Sequence, residues 1–297
     1  MTERTLIHDI SFYQGNLSRY WQLFRDAGCK AIIIQATNGL AYQQYFHDTA
    51  QEAKDEGFLV GSYHFFRQHI PNQEGTWVSC SASKQAQNYF SWVDKSGVKM
   101  DLPPALDLEE GGNPYGLGTA AVRACLDSTE KLFGRTPMIY SRSTILKGIQ
   151  QADWGRFPLW LAHYTDNEDY LVIPSAWNGW TIWQYSDKVT YTPEGSTLKK
   201  PIDHNWFNGS YDDLLTFCNS TAPVPLPPKE NVKVKVEWLR FRKEPSLYSG
   251  DTLAVGMGVA LKLLDTEKVH GDIDYWHVSL DGYEGYISAG TTYTQLV

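Results

Sequence analysis

Over the first 219 residues, short apolar runs alternate with stretches whose apolar positions recur at helical spacing. Thr5 to Ile10, Ala31 to Ala36, Leu59 to Phe65, Pro104 to Leu108, Pro137 to Tyr140, Leu159 to Ala162, Thr181 to Tyr185 and Pro201 to Asp203 read as strands, each bounded by turn-forming or charged residues. Between them, Leu17 to Ala27 stacks Leu17, Tyr20, Trp21, Phe24 and Ala27 on one stripe, and Phe46 to Glu56, Ser83 to Lys95 and Thr119 to Phe133 do the same. Gly134 supplies a helix stop, and Ser143 to Gln151 is a shorter fifth helix. No helical pattern then returns until Asp212 to Cys218. The pattern predicts an α/β fold: an irregular TIM-like (β/α) barrel of eight strands with about five helices, its last strands having lost theirs.

After Asn219 the pattern changes. Four prolines within positions 223–228 favour extended polyproline backbone, which predicts a Pro-rich linker over 220–230 and leaves a barrel domain over 1–219. From 231 to 297 the alternation is strand-like, with Val232 to Val236, Leu239 to Arg242, Val259 to Leu264, and two runs joined across Leu280-Asp281-Gly282. An Asp-Gly between alternating runs is a strong hairpin signal, and short strands without a helix predict a small all-β barrel.

A barrel directs chemistry to the C-terminal ends of its strands. His8 and Asp9 end the first run, Gln35 and Thr37 the second, Tyr63 and His64 the third, Asp107 and Glu109 the fourth, and Tyr140 the fifth. Trp160 and His163 end the sixth, Trp183, Gln184 and Tyr185 the seventh, and Asp203 the eighth. Asp107 and Glu109 are two residues apart in a strand, so they share a face at roughly 6.6 Å. Two carboxylates this close do not ionise independently; one keeps its proton toward neutral pH while the other carries charge. Glu110 points away from that face.

The composition sharpens this. Aromatic residues make up 14% of the 297, with 11 Trp, 18 Tyr and 12 Phe, and their faces suit the apolar faces of sugar rings or bases. The net charge of -8 and the absence of a basic run argue against nucleic acid. No apolar run reaches a membrane span, so no membrane insertion is expected, and Met1 to Asp9 does not read as a signal peptide. The cysteines at 29, 80, 125 and 218 are scattered and read as free, buried thiols in a reducing cytoplasm. His64 and His163 lack a local ligand partner, so no metal or other cofactor is expected. Ser62 does not sit in a nucleophile elbow, and Cys29 has no nearby His.

These residues resemble the glycoside hydrolase family 25 lysozymes. The likeness is carried by Asp9-Ile10-Ser11 with Gln14-Gly15, Gly61-Ser62-Tyr63-His64-Phe65, Ala105-Leu106-Asp107-Leu108-Glu109, Pro158 to Tyr164, Trp183-Gln184-Tyr185-Ser186 and Ile202-Asp203-His204-Asn205-Trp206-Phe207. One departure is Gln35, where members often carry Lys. A chitinase-type barrel also ends its fourth strand in Asp-x-Glu, but it carries a further Asp where this chain has Ala105. The resemblance implies cleavage of the β-1,4 bond between N-acetylmuramic acid and N-acetylglucosamine in bacterial peptidoglycan. It implies Glu109 as general acid, Asp107 as partner of the substrate 2-acetamido group, and Asp9 and Asp203 completing an acidic ring. Tyr63, His64, Tyr140, Trp160, Trp183, Gln184 and Tyr185 are the candidate substrate-binding residues. A direct carboxylate nucleophile and a substrate-assisted route both remain open.

The C-terminal stretch resembles bacterial SH3-type cell-wall-binding domains, with Leu239-Arg240-Phe241-Arg242 as a divergent version of one motif and the Trp276 to Ile287 stretch as another. Residues 231–297 would then be an SH3-like wall-binding module. From Lys229 onward there are 8 basic and 10 acidic residues, so retention on an anionic wall would require specific contacts. Together the two resemblances imply a phage-type endolysin, held in the host cytoplasm before lysis and released by a holin-type partner. The competing reading is a non-catalytic carbohydrate-binding barrel. No pattern sets an oligomeric state.

Overall fold

The computed structural model describes residues 3–111, 113, 115–195, 200–220, 231–249, 251–264, 268–280, 282–290 and 292–296. Of the expected linker over 220–230, residues 221–230 lie outside the described residues, as does Asp281 of the expected hairpin turn. The chain divides into two compact units, Met1–Tyr164 with Trp180–Val224, and Thr165–Gly179 with Pro225–Val297.

The first unit is built on β1 (Thr5–Ile10), β2 (Ala31–Asn38), β3 (Leu59–Phe65), β4 (Ala105–Asp107), β5 (Met138–Ser141), β6 (Leu159–Ala162), β7 (Ile182–Tyr191) and β8 (Lys200–Phe207). Their order is β1-β8-β7-β6-β5-β4-β3-β2, and β2 pairs back onto β1, closing a barrel. Neighbours are parallel except around β8, which runs antiparallel to both β7 and β1. This corrects the expectation that Asp203 ends a parallel eighth strand. Parallel neighbours need a crossover of a dozen or more residues, whereas only residues 192–199 separate β7 from β8. The chain therefore turns straight back, and the early part of β8 lies beside the late part of β1.

Among the described residues six α-helices accompany the strands: α1 (Trp21–Asp26), α2 (Phe46–Asp55), α3 (Ala82–Lys95), α4 (Thr119–Phe133), α5 (Ser143–Ile149) and α6 (Tyr211–Asn219). The first is shorter than its apolar stripe predicts, because Leu17 to Tyr20 forms a turn whose Tyr20 N–H donates to the Leu17 carbonyl at 2.7 Å. Gly134 ends α4 in the left-handed region, at φ 63°, where a side chain would be strained. A short hairpin of His69–Pro71 with Trp77–Ser79 was not foreseen; it is three residues a side and mixed in polarity.

Strand alternation divides the core. The outward faces of β1 to β3 supply Ile10, Ile32, Ile34 and Val60, which pack with Trp21, Phe24, Ala50, Ala53 and Tyr89 from the helices. The inward faces supply Ile7, Ala31, Ile33, Ala105, Met138, Ile182 and Phe207, joined by Leu214 and Phe217 from α6. A capping box sets the start of α6: Ser210 Oγ accepts from Asp213 N–H at 3.1 Å, while Asp213 Oδ2 accepts from Ser210 N–H at 2.9 Å.

The second unit holds β9 (Asn231–Val234), β10 (Trp238–Arg242), β11 (Asp251–Gly256), β12 (Ala260–Leu263), β13 (Val269–His270), β14 (Asp274–Leu280), β15 (Tyr283–Ser288) and β16 (Thr294–Leu296). Their order is β11-β10-β15-β14-β12-β9-β16, with β13 paired to β14, all antiparallel. Val232, Val234, Phe241, Val255, Leu261, Val278 and Ile287 form its core. The hairpin register sets Leu280 opposite Tyr283, as the Asp-Gly signal requires. The strands β11, β13 and β16 escaped the sequence pattern: β13 and β16 are only two and three residues long, and β11 carries Leu253-Ala254-Val255 as a short run without polar alternation.

Leu214 is fully buried in the inner core. Leu214→Ala should therefore lower the unfolding free energy of the barrel by about 3 kcal/mol, measured by urea denaturation, through the cavity it leaves.

Candidate active site

On four strands the inward row begins apolar and ends polar. Ile7 is followed by Asp9 on β1, Ala105 by Asp107 on β4, Met138 by Tyr140 on β5, and Ile182 by Gln184 on β7. The polar ends meet in an open cleft of about 290 Å³ lined by Asp9, Tyr63, Asp107, Glu109, Tyr140, Trp160, Gln184 and Asp203. All four candidate acids are therefore brought together, with four of the candidate substrate-binding residues.

Asp9 and Asp203 are directly opposite in the β1–β8 register, and their side chains hydrogen-bond to each other. Asp9 Oδ2 also accepts from Gln184 Nε2 at 2.9 Å and from Asn205 Nδ2 at 2.8 Å. Burial raises the Asp9 carboxyl to about 6, opposed by these donors. Asp203, with less support, is pushed to about 9 by burial and by the neighbouring Asp9 charge. The pair thus shares one proton at neutral pH. Asp107 is raised well above the usual carboxylate range by burial and by the charges of Glu109 and Asp9, with Arg67 opposing. Its Oδ1 is buried and has no hydrogen-bond partner. Glu109 is raised by burial, while the Arg142 charge, and after it the neighbouring Tyr140 hydroxyl, pull it back.

The aromatic walls are held in a polar chain. Tyr140 donates to Gln184 Oε1 at 2.8 Å, and Trp160 Nε1–H donates to Asn205 Oδ1 at 2.7 Å. The Tyr140 and Trp160 rings meet edge to face at 4.8 Å. Burial lifts the phenols of Tyr63 and Tyr140 well above their ordinary value, with Asp107 the next contributor for both, so both stay neutral donors.

His64, Trp183 and Tyr185 lie outside the cleft, because each is sequence-adjacent to an inward residue and so faces outward. His64 is buried between Thr37 Oγ1, 2.8 Å from Nδ1, and Gln85 Oε1, 3.2 Å from Nε2. Trp183 donates to the His163 carbonyl at 2.7 Å and lies beneath the Arg4 guanidinium. Tyr185 stacks on Trp206 at 5.2 Å. Among the described residues, no group of three or more His, Cys, Asp or Glu is arranged to hold a metal ion. The four cysteines are free, three buried and Cys218 half-buried. No helix among the described residues is long and apolar enough to cross a membrane.

Three positioning residues were not singled out from the sequence. Asn205, two residues beyond Asp203 on the same face, ties Asp9 to Trp160. Asn113, almost fully buried, staples the turn after Glu109: its Nδ2 donates to the carbonyls of Phe66 at 3.0 Å and Glu109 at 2.9 Å, and its Oδ1 accepts from Gln68 N–H at 2.7 Å. Arg142, two residues after Tyr140, brings a positive charge toward Glu109. Alternation alone would have found Asn205 and Arg142; Asn113 lies in an irregular turn that leaves no pattern.

A closed barrel that gathers four carboxylates and aromatic walls around one cleft has the groups that a glycoside hydrolase uses. The chain belongs to the glycosyl hydrolases family 25, whose profile matches residues 8–193. Asp203 and Asn205 lie just past that span. Lysozyme M1 of Streptomyces globisporus is 30% identical over 226 residues, covering 72% of this chain and 71% of the relative. Among solved structures, the bacterial lysozyme from Streptomyces coelicolor is 26% identical with a TM-score of 0.59, over 75% of this chain and 100% of that one. The muramidase from Acremonium alcalophilum is 28% identical with a TM-score of 0.56, over 73% and 99%. The chain is thus similar to lysozymes and muramidases over about three quarters of its length.

The acid pair makes a prediction about stability. Asp203 holds its proton up to about pH 9 when folded, whereas an ordinary Asp loses it near 3.8. At this group the folded state therefore binds the extra proton across that window, and the Asp203 contribution to stability falls as pH rises from about 4 toward 9. Asp203→Asn, which mimics the protonated form, should match the wild-type melting temperature at about pH 4 and exceed it by roughly 5 °C at about pH 8 in scanning calorimetry.

Proposed function

We propose that this protein cleaves the β-1,4 bond between N-acetylmuramic acid and N-acetylglucosamine, with Glu109 as general acid and Asp107 assisting the substrate 2-acetamido group. The observation that carries the assignment is Asp107 Oδ1, a buried acceptor without a donor, on the strand that leads into Glu109. A buried carboxylate oxygen left unpaired costs free energy, and a substrate amide N–H in the cleft would satisfy it. So held, the acetamido carbonyl oxygen attacks the anomeric carbon as the glycosidic bond breaks. The leaving oxygen takes the proton of Glu109, which is less buried than Asp107 and stands at the cleft mouth. Glu109 then acts as base toward the water that opens the cyclic intermediate. Asp9, fixed by Gln184 and Asn205, supplies the negative charge facing the developing cation, and neutral Asp203 adds no second one.

The C-terminal unit, read as an SH3-like wall-binding module over 231–297 beyond a linker at 220–230, would hold the barrel at its insoluble substrate. In this reading the protein is a phage-type endolysin of the host cytoplasm, reaching the wall through a holin-type partner.

The test is digestion of purified peptidoglycan with the wild type and with Glu109→Gln, followed by mass spectrometry of the new reducing ends. The expected result is muramic-acid ends for the wild type and a kcat lower by roughly 10³-fold or more for the variant, since both general acid and base are removed. Glucosamine ends would make it a glucosaminidase, free amines an amidase or peptidase, and no product a carbohydrate-binding protein.

A further inference from the structure

The cleft holds four acidic side chains, with Asp9 carrying charge, and the substrate proposed above carries carboxylates of its own, in its stem peptides or in the lactyl group of muramic acid where the stem is missing. A cation at the rim would offset the repulsion between them. Arg142 continues the inward row of β5 through Met138 and Tyr140, and its charge is the first influence opposing the upward shift of Glu109. Its side chain is exposed, lies 5.6 Å over the Tyr164 ring and hydrogen-bonds to the Tyr164 hydroxyl. Among the described residues it has no carboxylate within ion-pair distance, in contrast to Arg123 and Arg156, which pair with Asp153 at 2.6 Å and Glu130 at 2.7 Å. The other cation facing the acids, Arg67, is occupied: its Nε–H donates to Asn38 Oδ1 at 2.8 Å and its guanidinium covers Phe65 at 4.8 Å. Arg142 thus presents a guanidinium braced by one aromatic residue, with donors to spare for a planar two-oxygen acceptor.

We propose that Arg142 is a specificity-determining residue that docks a carboxylate of the peptidoglycan at the cleft rim beside Glu109. The inference rests on the muramidase reading. It has a consequence for catalysis, because a docked carboxylate cancels the positive charge that pulls proton affinity out of Glu109. The acid then keeps its proton to higher pH in the substrate complex than in the free enzyme, and an anionic substrate prepares its own proton donor.

The experiment measures kcat and KM of the wild type, Arg142→Ala and Arg142→Lys on three forms of one glycan preparation. These are strands with native stems, the same strands with every carboxyl converted to the methylamide, and strands stripped of stems by an amidase so that lactyl carboxylates are free. On native strands Arg142→Ala should raise KM roughly three- to tenfold, the range of an exposed to half-buried arginine–carboxylate contact, with Arg142→Lys in between. On the methylamide form the wild type should lose its advantage and the three proteins should converge. An effect confined to native strands assigns the carboxylate to the stem, and one seen on stripped strands as well shows that the freed lactyl carboxylate can take the stem's place. In the wild type the alkaline limb of kcat should lie above that of kcat/KM, and Arg142→Ala should close the gap. An equal rise in KM on charged and methylamide strands, or no rise on any, overturns the proposal. Reducing ends other than muramic acid overturn the muramidase reading instead, and the dependence on substrate charge is then scored on whichever product forms.

Discussion

The pairing of β1 with β8 sets two like pairs directly opposite one another: Asp9 against Asp203 on the inner face and His8 against His204 on the outer. Like charges in directly opposed positions destabilise a sheet, so the register survives only if both pairs shed charge. The histidines do so by burial. Their rings stack at 4.3 Å, His8 is pushed down to about 2 by burial and by His204, and His204 to about 4 by burial. Tyr191 reaches both, its hydroxyl 3.2 Å from His8 Nε2 and 3.0 Å from His204 Nε2, and Tyr185 takes His204 Nδ1 at 3.0 Å. The acids do so by sharing a proton. The strand that closes the barrel thereby also fixes the protonation of its cleft.

That dependence explains why the antiparallel turn of β8 matters beyond topology. A parallel eighth strand would bring its last residues to the rim, and those are Trp206 and Phe207, which stack on Tyr185 and join the inner core. Reversed, the strand presents Asp203 and Asn205 to the cleft and leaves Phe207 for the apolar floor. The asparagine is what makes the acid pair tolerable, because its amide donates to Asp9 while its oxygen accepts from Trp160. Floor and rim are thus two ends of one alternating row.

The same alternation measures how much was legible in the sequence. The eight barrel strands were readable because each carries a compact apolar run, and all four acids were found because they follow such runs. His64, Trp183 and Tyr185 were misplaced by attending to strand ends without parity: once Tyr63 and Gln184 point inward, their neighbours point out. The direction of β8 was encoded in the short connection before it rather than in its own residues. Asn113 was invisible because its three hydrogen bonds join segments far apart in the chain, Phe66, Gln68 and Glu109, and no local pattern reports such a contact. In the second unit the strands that escaped are β13 and β16, too short for a period to register, and β11, whose apolar residues are consecutive rather than alternating.

Four carboxylates within one cleft would be a liability if they were equivalent, and the barrel makes them unlike. Asp9 receives amide donors from two neighbouring strands and so is ionised at neutral pH despite full burial. Asp203 yields its charge to Asp9. Asp107 is buried with one oxygen unpaired, a state that is costly until an amide fills it. Glu109 stands beyond the end of β4, half-buried, anchored through its backbone by Asn113 and balanced between burial, which favours its proton, and Arg142, which opposes it. Divergent environments of this kind separate acid from base among chemically identical groups. Of the four, Glu109 alone has its balance set by an exposed, unneutralised cation, so its proton is the one that a bound substrate can most readily shift.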